Sequence, residues 1–183
     1  MVGQFYAADA WECLVTALEG SNWRLGRRDI YIYYLGAQPP TNIPPERLTH
    51  GGWMSQEDAI KALAANTDIC YCPYPFNRER EEVARFSFPS KMVMYLAAGR
   101  PVFCHAPWYS SPARYIAQSL AGVVCGDLDA GACLRMLAWI VDDREVYADA
   151  SRAAAAAFLA DFTRDRMRRN FLDVLEISDA ADR

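Results

Sequence analysis

Three short apolar runs, at 68–72 (DICYC), 101–104 (PVFC) and 122–125 (GVVC), constrain the fold of this chain more than any other feature. Each is nearly continuous in apolar character rather than alternating, which is the pattern of a strand covered on both faces. Helix-length segments separate them, and strands that alternate with helices build a parallel sheet. The expected fold class is therefore α/β, a doubly wound parallel sheet with helices on both faces, as one domain over residues 1–183.

The rest of the chain fits that frame. Met1-Val2-Gly3 reads as the tail of a first strand that runs into a turn. Residues 8–19 place Trp11, Leu14, Val15 and Leu18 on one helical stripe. The β-rich run 29–35 (DIYIYYL) ends at Gly36, the Pro-rich stretch 39–45 is a loop, and 47–50 has the makings of a short strand. Ser55-Gln56-Glu57-Asp58 has the form of a capping box that opens a helix. Residues 74–86 read as a charged loop. Beyond it lie a helix and strand over 90–105, a helix over 112–120, and a helix capped by Asp127 or Asp129 that runs to about 141. Two C-terminal helices follow, over 144–159 and 164–175.

Composition narrows the function. A net charge of −4 gives no support to a nucleic-acid partner, and no apolar run has the length of a membrane span. Six cysteines match no zinc or redox spacing. Cys70 and Cys72 flank Tyr71 and point to one face of their strand. Buried free thiols imply a reducing compartment, hence the cytoplasm.

Ligands of open parallel sheets bind beyond the carboxyl ends of the strands. That rule selects Gly3-Gln4, Gly51-Gly52-Trp53, Pro73-Tyr74 and the turn Phe88-Pro89-Ser90-Lys91. Lys91 is the most telling of these. The turn reads as a Ser-capped helix start, and a cation in the first helical turn opposes the macrodipole. It makes sense there if an anion joins it, and phosphate is the obvious one. Tyr95 lies one turn on, on the same face. The Gly turns have a plain alternative as tight turns, and Trp53 one as a packing residue. His50 and His105 sit near strand ends without a neighbouring acid or serine, and read as structural.

The motif Phe88-Pro-Ser-Lys91 followed by Tyr95-Leu-Ala-Ala-Gly99-Arg-Pro101-Val resembles the "PSK…EYLAAG+PV" segment of GT-B glycosyltransferases of the glycogen-synthase-like superfamily. Gly3, Gly52-Trp53-Met54-Ser55 and 65–73 (ANTDICYCP) resemble flanking segments of the same family in the same order. The resemblance implies a Rossmann-like C-terminal domain that binds a nucleotide-sugar donor, a UDP- or GDP-sugar, without a metal. It implies a separate N-terminal acceptor domain as partner, which would hold the catalytic base, so no catalytic residue is assigned to this chain. Its donor site would comprise Gly3, Gln4, Gly52, Trp53, Pro73, Phe88, Ser90, Lys91, Met94 and Tyr95. Family members place carboxylates where this chain has Phe86 and Met94. Two alternatives stay open: half of a sugar-nucleotide epimerase, and a non-catalytic α/β interaction module. Association with the inner membrane surface is likewise left open.

Overall fold

The computed structural model describes residues 1–3 and 7–175. Gln4 therefore lies outside the described residues. The architecture is mixed α/β with parallel sheets between two layers of helices, the Rossmann-like arrangement.

Strands β5 (Cys70–Pro73), β6 (Val102–His105) and β7 (Gly122–Cys125) pair in parallel, with Cys70 opposite Val102 and Val102 opposite Gly122. They follow β1 (Arg24–Leu25), β2 (Arg28–Asp29), β3 (Ile32–Leu35) and β4 (Leu48–Gly52) in the chain. Strands β3 and β4 form a second parallel pair, and Val2 bridges to Leu35 as a stub of the first strand. The two groups of strands share one pair of helical layers. Alternation explains how. Cys70, Cys72, Val102, Cys104 and Val124 enter one core, while Tyr71, Phe103, Val123 and Cys125 enter the other. Cys70 and Cys72 thus share a face, as their spacing requires.

On the first face lie α2 (Gln56–Asn66), α4 (Ser90–Ala97) and α5 (Ser111–Ser119), through Ala59, Leu63, Met92, Leu96 and Ile116. On the second lie α1 (Ala8–Gly20) and α6 (Ala130–Asp142), through Trp11, Leu14, Leu18, Cys133 and Ile140. Fully burying one such Leu or Ile contributes about 1.5–3 kcal/mol. The Ala-rich α7 (Arg144–Ala157) reaches the first core through Ala154 and Ala157. A π-helical turn (Phe158–Phe162) joins it to α8 (Arg164–Val174).

Four local expectations change. The strand expected over 29–35 begins at Ile32, because Arg24–Asp29 folds into the antiparallel hairpin β1–β2. Segment 74–86 is not a loop throughout: Asn77 caps a 3-10 turn, and α3 (Glu81–Phe86) follows, with an Arg85–Glu81 pair at 2.7 Å. Helix α5 starts at Ser111, one residue earlier than its proline suggested, because the Ser110 hydroxyl accepts from the Ala113 N–H. Ser90 does not cap α4. It is the first helical residue, and Pro89 holds the cap position without a side-chain hydrogen bond. By contrast, Ser55, Asp129, Asp143 and Thr163 each accept a backbone N–H at the start of their helix.

Candidate functional site

The carboxyl ends of the strands form one edge, and five of the ten predicted residues meet there. The stub turns at Gly3, whose φ is +85°, a left-handed value that favours glycine. Its N–H donates to the Leu35 carbonyl at 2.9 Å, and its own carbonyl accepts the Tyr34 hydroxyl at 2.8 Å. The neighbouring turn is tied on by Gly36 N–H to the Gly52 carbonyl at 2.9 Å. Gly52 also has positive φ, at +75°. Open space lies above both glycines, where a Cβ would meet nothing within 4 Å. Trp53, next in the chain, is 83% exposed.

Helix α4 supplies the charge. Lys91 sits in its first turn with only 7% of its surface exposed. Burial lowers its pKa below the usual lysine value, and the nearby Cys72 thiol partly offsets that. The charge of the same ammonium also helps lower the pKa of the Met1 amino group, after burial. An ammonium taken out of water at the positive end of a helix is doubly disfavoured, by desolvation and by the dipole. An anion at the same place reverses both terms. Ser90, beside it, is exposed.

The loops around α4 are fixed by hydrogen bonds. The Tyr74 hydroxyl donates to the Ser87 carbonyl at 2.8 Å, and the Tyr74 N–H donates to the His105 carbonyl at 2.9 Å. Asp9, in the first turn of α1, accepts the Phe76 N–H at 2.8 Å and so locks the first β–α turn to the loop after β5. In the sequence Asp9 carries only a local signal, an acid in the first turn of the helix that follows the glycine turn. His105 is fully buried, with Nδ1 3.1 Å from the Tyr71 hydroxyl and Nε2 2.8 Å from the Asp127 carbonyl. It ties strand ends together.

Other predicted residues serve the framework instead of the open edge. Pro73 is buried at the end of β5. Met94 is partly buried against the first core. Phe88 stacks on Phe162 at 5.6 Å and meets Tyr115 edge-on at 5.3 Å. Tyr95 shares the helix of Lys91 but is fully buried. Its hydroxyl accepts the Val2 N–H at 3.0 Å and donates to the Tyr71 carbonyl at 3.0 Å. It bridges the stub to β5 where the two do not pair directly. The predicted residues Gly3, Gly52, Trp53, Ser90 and Lys91 are thus brought to one edge, and Tyr95 stands behind it.

Among the described residues, no group of three or more His, Cys, Asp or Glu side chains is arranged to hold a metal ion. No helix among them is long and apolar enough to cross a membrane.

No protein-family model matches the chain, and no curated protein matches it. Solved structures do. Anabaena HepE in complex with UDP and glucose aligns with a TM-score of 0.64 at 16% identity, over 96% of this chain and 47% of HepE. HepE with UDP-glucose gives 0.65 at 14% identity, over 96% and 48%. The chain has the HepE fold over about half of HepE's length.

Proposed function

We propose that this chain is the nucleotide-sugar donor-binding half of a GT-B glycosyltransferase, folded as one domain over residues 1–183. The buried Lys91 in the first turn of a helix without a side-chain cap carries the reading, because that position favours a bound anion. In this reading Lys91 and Ser90 hold the donor diphosphate, and the Gly3 turn lets backbone approach it. Gly52 and Trp53 lie against the base and ribose. UDP is the first nucleotide to test, since HepE is seen with UDP and with UDP-glucose.

The acceptor and the catalytic base come from a second domain in this reading. Trp53, Phe86 and Trp108 support it: they are 83%, 83% and 59% exposed, Phe86 at the end of α3 and the two tryptophans on loops. Exposed aromatic groups clustered at one edge mark a surface that something covers. All six cysteines are free thiols, which suits a cytoplasmic enzyme. The donor binds through backbone groups and a lysine, so the reading needs no metal.

The test is thermal unfolding with UDP, GDP and ADP and their sugars, with Lys91→Ala alongside. A ligand at 100 times its Kd stabilises the native state by about 2.7 kcal/mol. Loss of a charge-assisted hydrogen bond of about 1.5–3 kcal/mol predicts roughly 10- to 150-fold weaker binding for Lys91→Ala. A melt that no nucleotide shifts, or equal binding by the variant, overturns the proposal.

A further inference from the structure

The second core holds three thiols that the donor site does not use. Cys125 ends β7, Cys133 lies in α6 and Cys13 in α1. All three are free. Between the first two, the turn Asp127–Asp129 folds the chain back, and the Asp129 carboxylate caps α6 by accepting the Ala132 N–H at 2.6 Å. Cys125 and Cys133 are thereby brought into hydrogen-bond contact. Sulfurs that already touch need little movement to join.

The surroundings make the two sulfurs unequal. As a thiol, Cys125 donates to the Asp127 carbonyl at 3.6 Å, a long bond from a weak donor. That oxygen already accepts from His105 Nε2 at 2.8 Å, and a carbonyl only accepts, so Nε2 carries a hydrogen. The hydrogen bond from Cys133 lowers the Cys125 pKa; burial opposes it, and hydrogen bonds from His105 and the Asp127 backbone add to the lowering. The same contact with Cys125, and burial after it, pushes the Cys133 pKa up. Half-buried Cys13 is raised too, by burial first and then by Cys125 and Asp129. Of the three, Cys125 alone is disposed to be a thiolate, the form that attacks.

Access differs from that of the other thiol pair. Cys125 is 2% exposed, but Asp127, Leu128 and Asp129 of the adjoining turn are all exposed. Exposed turns open at low cost, and opening of this one admits a molecule as small as a hydroperoxide. Cys72 and Cys104 also share a hydrogen bond, but they sit opposite each other on the paired strands β5 and β6. The chain around them, 70–75 and 101–107, is buried throughout.

We propose that Cys125 and Cys133 form a peroxide-reactive dithiol, with Cys125 the attacking sulfur and Cys133 the resolving one. The pair is separate from the residues assigned to donor binding, and the reaction needs no second chain. A hydroperoxide is the oxidant. The Cys125 thiolate attacks its terminal oxygen, the O–O bond breaks, and the hydroxyl passes to sulfur as a sulfenic acid. The alkoxide or hydroxide that leaves takes a proton from water. The Cys133 sulfur then attacks the sulfenic sulfur, and the displaced hydroxide leaves with the Cys133 proton as water. The two sulfurs lose two electrons and the peroxide gains them. The new bond closes the turn 126–132 and staples the end of β7 to α6.

The experiment treats the folded chain with hydrogen peroxide at neutral pH, then alkylates it in denaturant and digests it with trypsin. Cys125 and Cys133 fall in one tryptic peptide, Tyr115–Arg135. That peptide should be the first to escape alkylation, two hydrogens lighter, and a reductant should restore it, while Cys72 and Cys104 stay alkylated. Cys133→Ser should stop the reaction at the sulfenic acid, so that dimedone marks Cys125. Cys125→Ser should slow loss of the Cys133 thiol at least about 10-fold, because an ordinary thiol is only a few per cent thiolate at neutral pH. An unreactive chain, earlier oxidation of Cys72 and Cys104, a disulfide through Cys13, or undiminished loss of the Cys133 thiol in Cys125→Ser overturns the proposal. The first measurement uses the unaltered chain, so it decides even where a variant does not fold.

Discussion

Tyr95→Phe tests the central joint of the sheet. The substitution removes one oxygen and keeps the ring, so it opens almost no cavity in a site that is fully buried. It leaves the Val2 N–H without its 3.0 Å acceptor and the Tyr71 carbonyl without its 3.0 Å donor. A buried polar group stripped of its partner costs about 1–3 kcal/mol, so the pair together should lose about 3 kcal/mol. For a chain of this size, each kcal/mol moves Tm by about 2–4 °C, which gives a drop of roughly 6–12 °C. Urea unfolding should show a lower midpoint at an unchanged slope, because the surface exposed on unfolding is the same. A loss below about 0.5 kcal/mol would refute the reasoning. It would mean that water or a small strand shift satisfies both groups, and that the stub is not held through Tyr95. UDP affinity measured alongside should change little, since the hydroxyl is turned into the sheet and away from the open edge.

Two further outcomes follow from the same geometry. Diphosphate binding should weaken as pH rises through the lowered pKa of Lys91, below the ordinary lysine value near 10.5. The sign follows from linkage: burial favours the neutral amine, so without ligand the native state gains stability as pH rises through that pKa, whereas the bound anion needs the ammonium. Nucleotide titrations between pH 7 and 10 should therefore show proton uptake on binding at the alkaline end, and a flat profile would remove Lys91 from the site. Gly122→Ala should prevent folding of the β6–β7 pair, because an added Cβ would sit on the Val102 carbonyl. Loss of the cooperative melt is the readout, and a native-like melt would contradict the register of those strands.

The alternation of apolar runs and helical stripes determined the fold class, because a strand with no polar face can only be covered on both sides. The capping signals at Ser55, and at Asp129 as one of two candidates, likewise marked helix starts, since they act within one turn of chain. The electrostatic oddity of Lys91 was legible for the same local reason, and it pointed to the edge where the structure puts it. Local signals misjudged Ser90, because Pro89 already holds the extended cap conformation and shifts the helix start by one.

Roles set by distant partners had no signal in the chain. Tyr95 shares a helical face with Lys91 by spacing, yet its hydroxyl is aimed by Val2 and Tyr71, residues 93 and 24 positions away. Asp9 pins Phe76 across 67 positions, and Met94 turns to the core. Sequence periodicity decides which face of an element is apolar. Only the packed tertiary structure decides which polar groups meet between elements, because each such contact depends on the placement of both.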